Sequence, residues 1–134
     1  MRRLAKAIGC LALAVAAWAA GGSLLRQAPA KFAERKNPFA GDEQARLAGA
    51  KLYAHECAAC HGSNGEGIGK APPLKRTDVI EAPPGALFWV LRNGSLYRGM
   101  PSFAHLPQPQ RWEIITFLQE TKNAAHPGGT DRVE

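Results

Sequence analysis

Cys57-Ala58-Ala59-Cys60-His61 constrains this chain more than any other feature. Two thiols three residues apart, with an imidazole directly after, form the attachment motif for a c-type haem. Each thiol can add to one vinyl group of the same porphyrin, and His61 then lies under the iron as proximal ligand. A chain marked in this way has to fold around a large, flat, apolar body. The sixth ligand then decides between electron transfer, gas sensing and peroxide chemistry.

Competing readings of the thiol pair lack their second half. A structural zinc site needs another ligand pair some distance away. No further Cys-x-x-Cys exists, and His55 and His61 crowd the same stretch. A thioredoxin-like pair needs βαβ context, and no strand pattern flanks the motif. Gly65-Glu66-Gly67-Ile68-Gly69-Lys70 resembles part of a phosphate-binding loop. That motif needs Gly at 64 and Ser or Thr at 71, where this chain has Asn64 and Ala71. Residues 62–73 read instead as a flexible loop beside the haem.

The formal charge of +6 does not point to nucleic acid. Arg2, Arg3, Lys6 and Arg26 lie in the N-terminal segment. From Lys31 onward 13 basic residues face 11 acidic ones, scattered and without an aromatic platform.

The basic start is followed by an uncharged, Ala/Leu-rich run over residues 7–25, the pattern of an export signal. Everything after it belongs on the periplasmic side of a bacterial inner membrane. Two fates fit residues 1–26. Ala17-Trp18-Ala19 suits a small-x-small cleavage site, which would release the protein. Alternatively the 19 uncharged residues, just long enough to span, stay as an N-terminal membrane anchor. Cys10 precedes most of the apolar run, so it reads as a small apolar residue of that segment and not as a lipoprotein cysteine.

Residues 27–41, with Pro29 and Pro38, read as a linker. Asp42 reads as the N-cap of a helix over residues 43–58, on which Gly49, Tyr53 and Cys57 share one face. Pro84-Gly85 opens a second helix over residues 86–92, apolar nearly all round and ended by Asn93-Gly94. A third runs over residues 110–122 with Ile114, Phe117, Leu118 and Thr121 inward. Residues 124–134 read as a disordered tail. The domain, residues 42–123, is all-α. Some 80 residues bury only a marginal core on their own, and a covalent haem would supply the missing apolar body.

Met100 is the only methionine after the initiator, on a turn between the second and third helices. It lies between Gly99 and Pro101 and far enough from His61 in sequence to return over the other haem face. His55 is tied to the attachment helix, and His126 lies in the tail. His105, five residues past Met100, is the remaining rival.

Together these residues resemble the class I monohaem cytochromes c, over residues 42–123. The resemblance rests on the Cys57-x-x-Cys60-His61 motif, Gly49 and Tyr53 before it, Pro72 and Leu74, Gly99-Met100-Pro101, and Phe117 on the final helix. It implies a small cytochrome c fold, three main helices wrapped around one covalent haem c and its iron, preceded by an N-terminal apolar helix. It implies that Gly49 meets Phe117 at a helix crossing. The Pro72 or Pro73 carbonyl would accept a hydrogen bond from His61. Leu74 would pack on the haem, with Trp89 and Tyr97 adding apolar surroundings. With Cys57 and Cys60 as thioethers and His61 and Met100 as axial ligands, no position on iron stays open. The implied function is outer-sphere transfer of one electron in a periplasmic or respiratory chain, without catalytic residues. Redox protein partners would dock weakly at the haem edge. Two other classes stay open: an electron-accepting subunit of a periplasmic dehydrogenase or oxidase complex, and a haem sensor or peroxidase whose sixth ligand is displaced.

Overall fold

The structure is a computed structural model that describes residues 23–124, with side chains to residue 120. Of the expected export segment over residues 1–26, residues 1–22, Cys10 included, lie outside the described residues, as does the expected tail beyond residue 124. Six α-helices follow one another: α1 (Ala30–Ala33), α2 (Glu43–Glu56), α3 (Ala58–His61), α4 (Thr77–Ile80), α5 (Pro84–Asn93) and α6 (Gln108–Ala124). There is no strand among the described residues, only isolated bridges between Ile68 and Ala71 and between Ser95 and Met100. Nor is any described helix long and apolar enough to cross a membrane.

Asp42 starts α2 as its composition requires. Its side chain accepts from the N–H groups of Gln44 and Ala45 at 2.9 and 3.0 Å, satisfying donors that have no partner within the helix. Ala45, Gly49 and Tyr53 are the buried positions of α2, and Cys57 continues that face. The helix does not run on to residue 58. Cys57, at φ −118°, turns the chain by one residue before α3 resumes.

The face of α2 meets α6 at Gly49. A Cβ there would collide with the Glu113 carbonyl and come within 3.0 Å of the Phe117 Cβ. Only glycine lets the two backbones approach so closely. One turn on, the Tyr53 and Phe117 rings meet at 5.3 Å between centroids. On its other side α6 receives α5, where Phe88 and Trp112 stack at 4.3 Å. α6 is thus packed on two flanks, and its most buried residues are Trp112, Ile114, Ile115 and Thr116. Phe117 and Leu118, expected inward, are partly buried at the edges of that sector.

α5 runs from Pro84, favoured at a first helical position, and is buried through Gly85, Ala86, Leu87, Phe88, Val90 and Leu91. Its end is not the left-handed cap expected. Gly94 has φ 62° but an extended ψ of −162°, which sends the chain out into the Met100 loop.

Residues 27–41, expected to be a linker, are part of the packed body. Phe32 and Phe39 join the apolar cluster. The Phe32 carbonyl lies against Gly85, where a Cβ would collide with it. Asn37 donates to Thr116 Oγ1 at 2.8 Å, and the Gly41 N–H donates to the Glu120 carboxylate. Pro29 and Pro38 break the hydrophobic periodicity, so single anchors, and not a pattern, hold this segment.

The α2–α6 crossing yields the first prediction. Gly49→Ala forces the α6 backbone away, and such overpacking costs about 1–3 kcal/mol or more. We expect a loss of about 2 kcal/mol or more, read as a lower urea midpoint at unchanged slope. An unchanged midpoint would show that the helices do not depend on this contact.

Candidate functional site

The α2–α6 crossing fixes where the attachment motif sits. Cys57 closes the buried face of α2, and Cys60 lies on the exposed side of α3. Both thiols are free. Burial, with the Glu56 and Cys60 charges nearby, pushes the free Cys57 thiol up to about 12. No three His, Cys, Asp or Glu side chains converge as a bare metal site among the described residues.

His61 ends α3, half-buried, and its Nδ1–H donates to the Pro72 carbonyl at 2.8 Å. Of the two prolines open at the sequence level, Pro72 is the partner. A ring nitrogen held in this way fixes the imidazole's orientation and leaves Nε2 as its available donor to a metal.

Residues 62–74 are tied down, not flexible as expected. Tyr53 Oη donates to the Gly62 carbonyl at 2.7 Å, and the Gly67 N–H donates to the His61 carbonyl at 2.7 Å. The Leu74 N–H donates to the Gly65 carbonyl at 2.9 Å. Gly67, at φ 83°, lies so close to Pro73 that a Cβ would stand 2.7 Å from its nitrogen. The Glu66 carboxylate accepts from the Asn64 N–H at 2.8 Å. This bond and a second backbone bond hold it below the usual carboxylate range.

A second loop carries Met100. The Ser95 and Met100 backbones exchange two hydrogen bonds, at 2.8 and 3.0 Å, and Gly99 between them is left-handed. Beyond it Phe103 N–H donates to the Leu91 carbonyl at 2.8 Å, returning the chain to α5. The Met100 side chain is half-buried and packs against the core. Leu74 and Trp89 are half-buried too, whereas Tyr97 is fully exposed. His105 lies 3.8 Å from Glu56, which also pairs with His55. The rival axial ligand thus lies beside a carboxylate.

Leu47, Ile68, Leu96 and Tyr97 are the large apolar side chains exposed among the described residues. Three of the four lie on the two loops that carry His61 and Met100. Sequence reading singled out Tyr97 and passed over Ile68 and Leu96, although apolar side chains in Gly-rich, otherwise polar loops were the available signal. Apolar surface collected on these loops, with a thiol pair and an imidazole beside them, fits a flat apolar macrocycle carrying a metal.

Helices without strands, a Cys-x-x-Cys-His motif and a carbonyl-anchored imidazole together define a c-type cytochrome domain. The family model for cytochrome C oxidase, cbb3-type, subunit III, matches residues 44–118, more than half of the chain, and the chain belongs to that family. No curated protein matches it. Membership brings with it a covalently bound haem c with its iron, and haem-based electron transfer as the activity in place of catalysis.

Two predictions come from this geometry. Cys57→Ser with Cys60→Ser leaves no thioether, so haem staining on a denaturing gel disappears; persistent stain would contradict covalent attachment through this pair. The second concerns Tyr53, whose burial, with Cys57 and Glu66 nearby, raises its phenol above the ordinary value of 10.0. A phenol kept neutral by the fold contributes stability that is complete below that ordinary value. It is lost as pH rises through the raised one. Tyr53→Phe therefore costs about 1 kcal/mol at neutral pH, for the lost bond to Gly62. It also flattens the alkaline fall in stability, read from urea denaturation at pH 7 and above pH 10. Parallel alkaline curves for the two proteins would contradict this.

Proposed function

We propose that this domain is a one-electron carrier whose haem iron is held by His61 and Met100. The observation that carries the reading is the Pro72 carbonyl on His61 Nδ1, which orients the imidazole and would leave Nε2 to hold the iron. Haem c supplies an Fe(III)/Fe(II) couple, and the chain's residues tune and shelter it. Cys57 and Cys60 tether the macrocycle, one from the buried face of α2 and one from the exposed side of α3. The hydrogen bond to Pro72 raises the electron density of the His61 ring. Met100 offers a soft thioether, which favours Fe(II) and raises the potential above that of a bis-histidine site. The Ser95–Met100 bridge holds that thioether in place. Leu74, Trp89 and Tyr97 provide the apolar surroundings. With His61 and Met100 both holding the iron, no site on it would be left for substrate, which separates this reading from a sensor or peroxidase.

The basic start and apolar run of residues 1–26 support a location on the periplasmic face of the inner membrane, either anchored or released by cleavage. Redox proteins dock transiently at the haem edge beside residues 62–69. A second reading has one observation in its favour. The family is described as an oxidase subunit, so the domain would serve within an oxidase complex and not as a free shuttle. Co-purification of the full chain with oxidase subunits would select this second reading.

The axial assignment is tested with Met100→Ala. The variant is expected to lose the low-spin ferric spectrum of sulfur ligation and to bind carbon monoxide when reduced. Its potential is expected to fall by roughly 0.1 V or more, within the ≈ 0.8 V that axial ligands span. A spectrum and potential unchanged from the wild type would remove Met100 from the iron.

A further inference from the structure

Away from the attachment motif, Arg35 and Arg111 lie over the ring stack that joins α5 to α6, and Arg92, over Phe32, is near enough to repel Arg111. Arg111, in the first turn of α6, is only 8 % exposed. Its Nε and Nη1 are buried without any hydrogen-bond partner. Its guanidinium lies 4.6 Å from the centre of the Phe88 ring. Arg35, just beyond α1, lies 4.4 Å from the same ring and 5.4 Å from Trp112. Arg92, one turn after Phe88 on α5, reaches over Phe32 at 5.8 Å.

Among the described residues no carboxylate forms an ion pair with any of these three cations. The ion pairs among the described residues join Glu43 to Arg46, Asp78 to Arg76, and Glu56 to His55 and His105. The charges acting on Arg111 are Arg92 and Arg35, both positive, and with burial they lower its affinity for its own proton. Ring faces offset part of that repulsion, since a guanidinium is attracted to an aromatic face. A ring face accepts no conventional N–H hydrogen bond in the guanidinium plane, so the buried donors of Arg111 stay unused. A buried cation with no ion pair and two unbonded donors is among the less favourable arrangements a fold can hold. Three neighbouring arginines are also a donor set suited to a tetrahedral oxyanion, which guanidinium groups grip through paired N–H donors.

We propose that Arg35, Arg92 and Arg111 form a phosphate-binding site on the face built by α1, α5 and α6. Arg111 is the buried anchor, and Arg92, exposed on α5, closes over the bound group. Phosphate chemistry has two sources here, the free ion and a lipid headgroup. The position of the site bears on both. α1 and the turn at Leu24–Gln27, which packs against α5, form the stretch through which the chain enters from its apolar N-terminal segment. If that segment stays in the bilayer, this face is the first to meet headgroup phosphates. The site is independent of the axial ligands and of the electron-transfer reading.

The test uses the holoprotein and three variants. Arg92→Gln changes an exposed side chain and leaves the core intact. Arg111→Met removes the buried charge and keeps much of its packing. Arg76→Gln, at the start of α4, is the control. Inorganic phosphate titrated calorimetrically at constant ionic strength is expected to bind the wild type and Arg76→Gln alike. Affinity should fall about tenfold or more in Arg92→Gln and Arg111→Met. Vesicles of phosphatidylglycerol, against phosphatidylcholine as reference, then separate the sources. Retention on the anionic vesicles that Arg92→Gln loses identifies the headgroup; phosphate binding without retention identifies the free ion. Arg111→Met should also be at least as resistant to urea as the wild type without phosphate, because its unpaired charge is gone. Equal heats with phosphate and chloride, or equal losses in Arg76→Gln and Arg92→Gln, would overturn the site.

Discussion

The close crossing of α2 and α6 at Gly49 is the contact on which the rest of the structure depends. It fixes the rotation of α2, because a single face carries Ala45, Gly49, Tyr53 and Cys57 into the core. That rotation places Cys57 at the boundary of the core and Cys60 outside it. It also sets Tyr53 beside Phe117, with its hydroxyl free to reach the Gly62 carbonyl. A residue with no side chain therefore governs the position of the whole attachment motif. Replacing it would shift the motif before it touched any group of the site.

From that anchor two loops are built by different means. The loop after His61 needs positive φ at several glycines, and it is held by Tyr53 from beneath and by Leu74 from its far end. The loop before Met100 needs a left-handed Gly99 and the paired backbone bonds of Ser95 and Met100. Each loop presents one residue with a lone pair suited to iron, and each carries exposed apolar side chains. Rigid loops suit electron transfer, because small changes in geometry between oxidation states keep the reorganisation of the site small. The contact between α5 and α6 is organised around charge instead. There the Phe88 and Trp112 rings carry arginines that no ion pair among the described residues balances.

Much of this was legible in the residues, and the rest was hidden for physical reasons. Local signals identified the attachment motif, the Asp42 cap and the Pro84 start of α5, because each depends on neighbours within one or two turns. The Gly49 and Phe117 crossing came from resemblance, and the close backbone approach gives it a physical basis. The packed course of residues 27–41 was not legible. It depends on Phe32, Phe39 and Asn37, each finding a partner some fifty or more residues away, with no periodicity to mark them. The order of residues 62–74 was hidden likewise, because glycine-rich composition is shared by flexible loops and by loops tied through backbone bonds. The inner face of α6 was read too narrowly. Only the presence of α2 on one side and α5 on the other brings Trp112, Ile115 and Thr116 inside with Ile114. Arg111 carried no warning at all, since a buried arginine and an exposed one look alike in a sequence.

The central claim is that the iron is bound by one histidine and one methionine. X-ray absorption at the iron edge of the ferric and ferrous holoprotein addresses it without perturbing the chain. Thioether sulfurs of Cys57 and Cys60 would be bonded to porphyrin carbon, so sulfur in the first coordination shell could come only from a protein ligand. Ligation by Met100 predicts five nitrogen scatterers and one sulfur in both oxidation states. A shell of six nitrogens, or of five ligands with an open position, would contradict it.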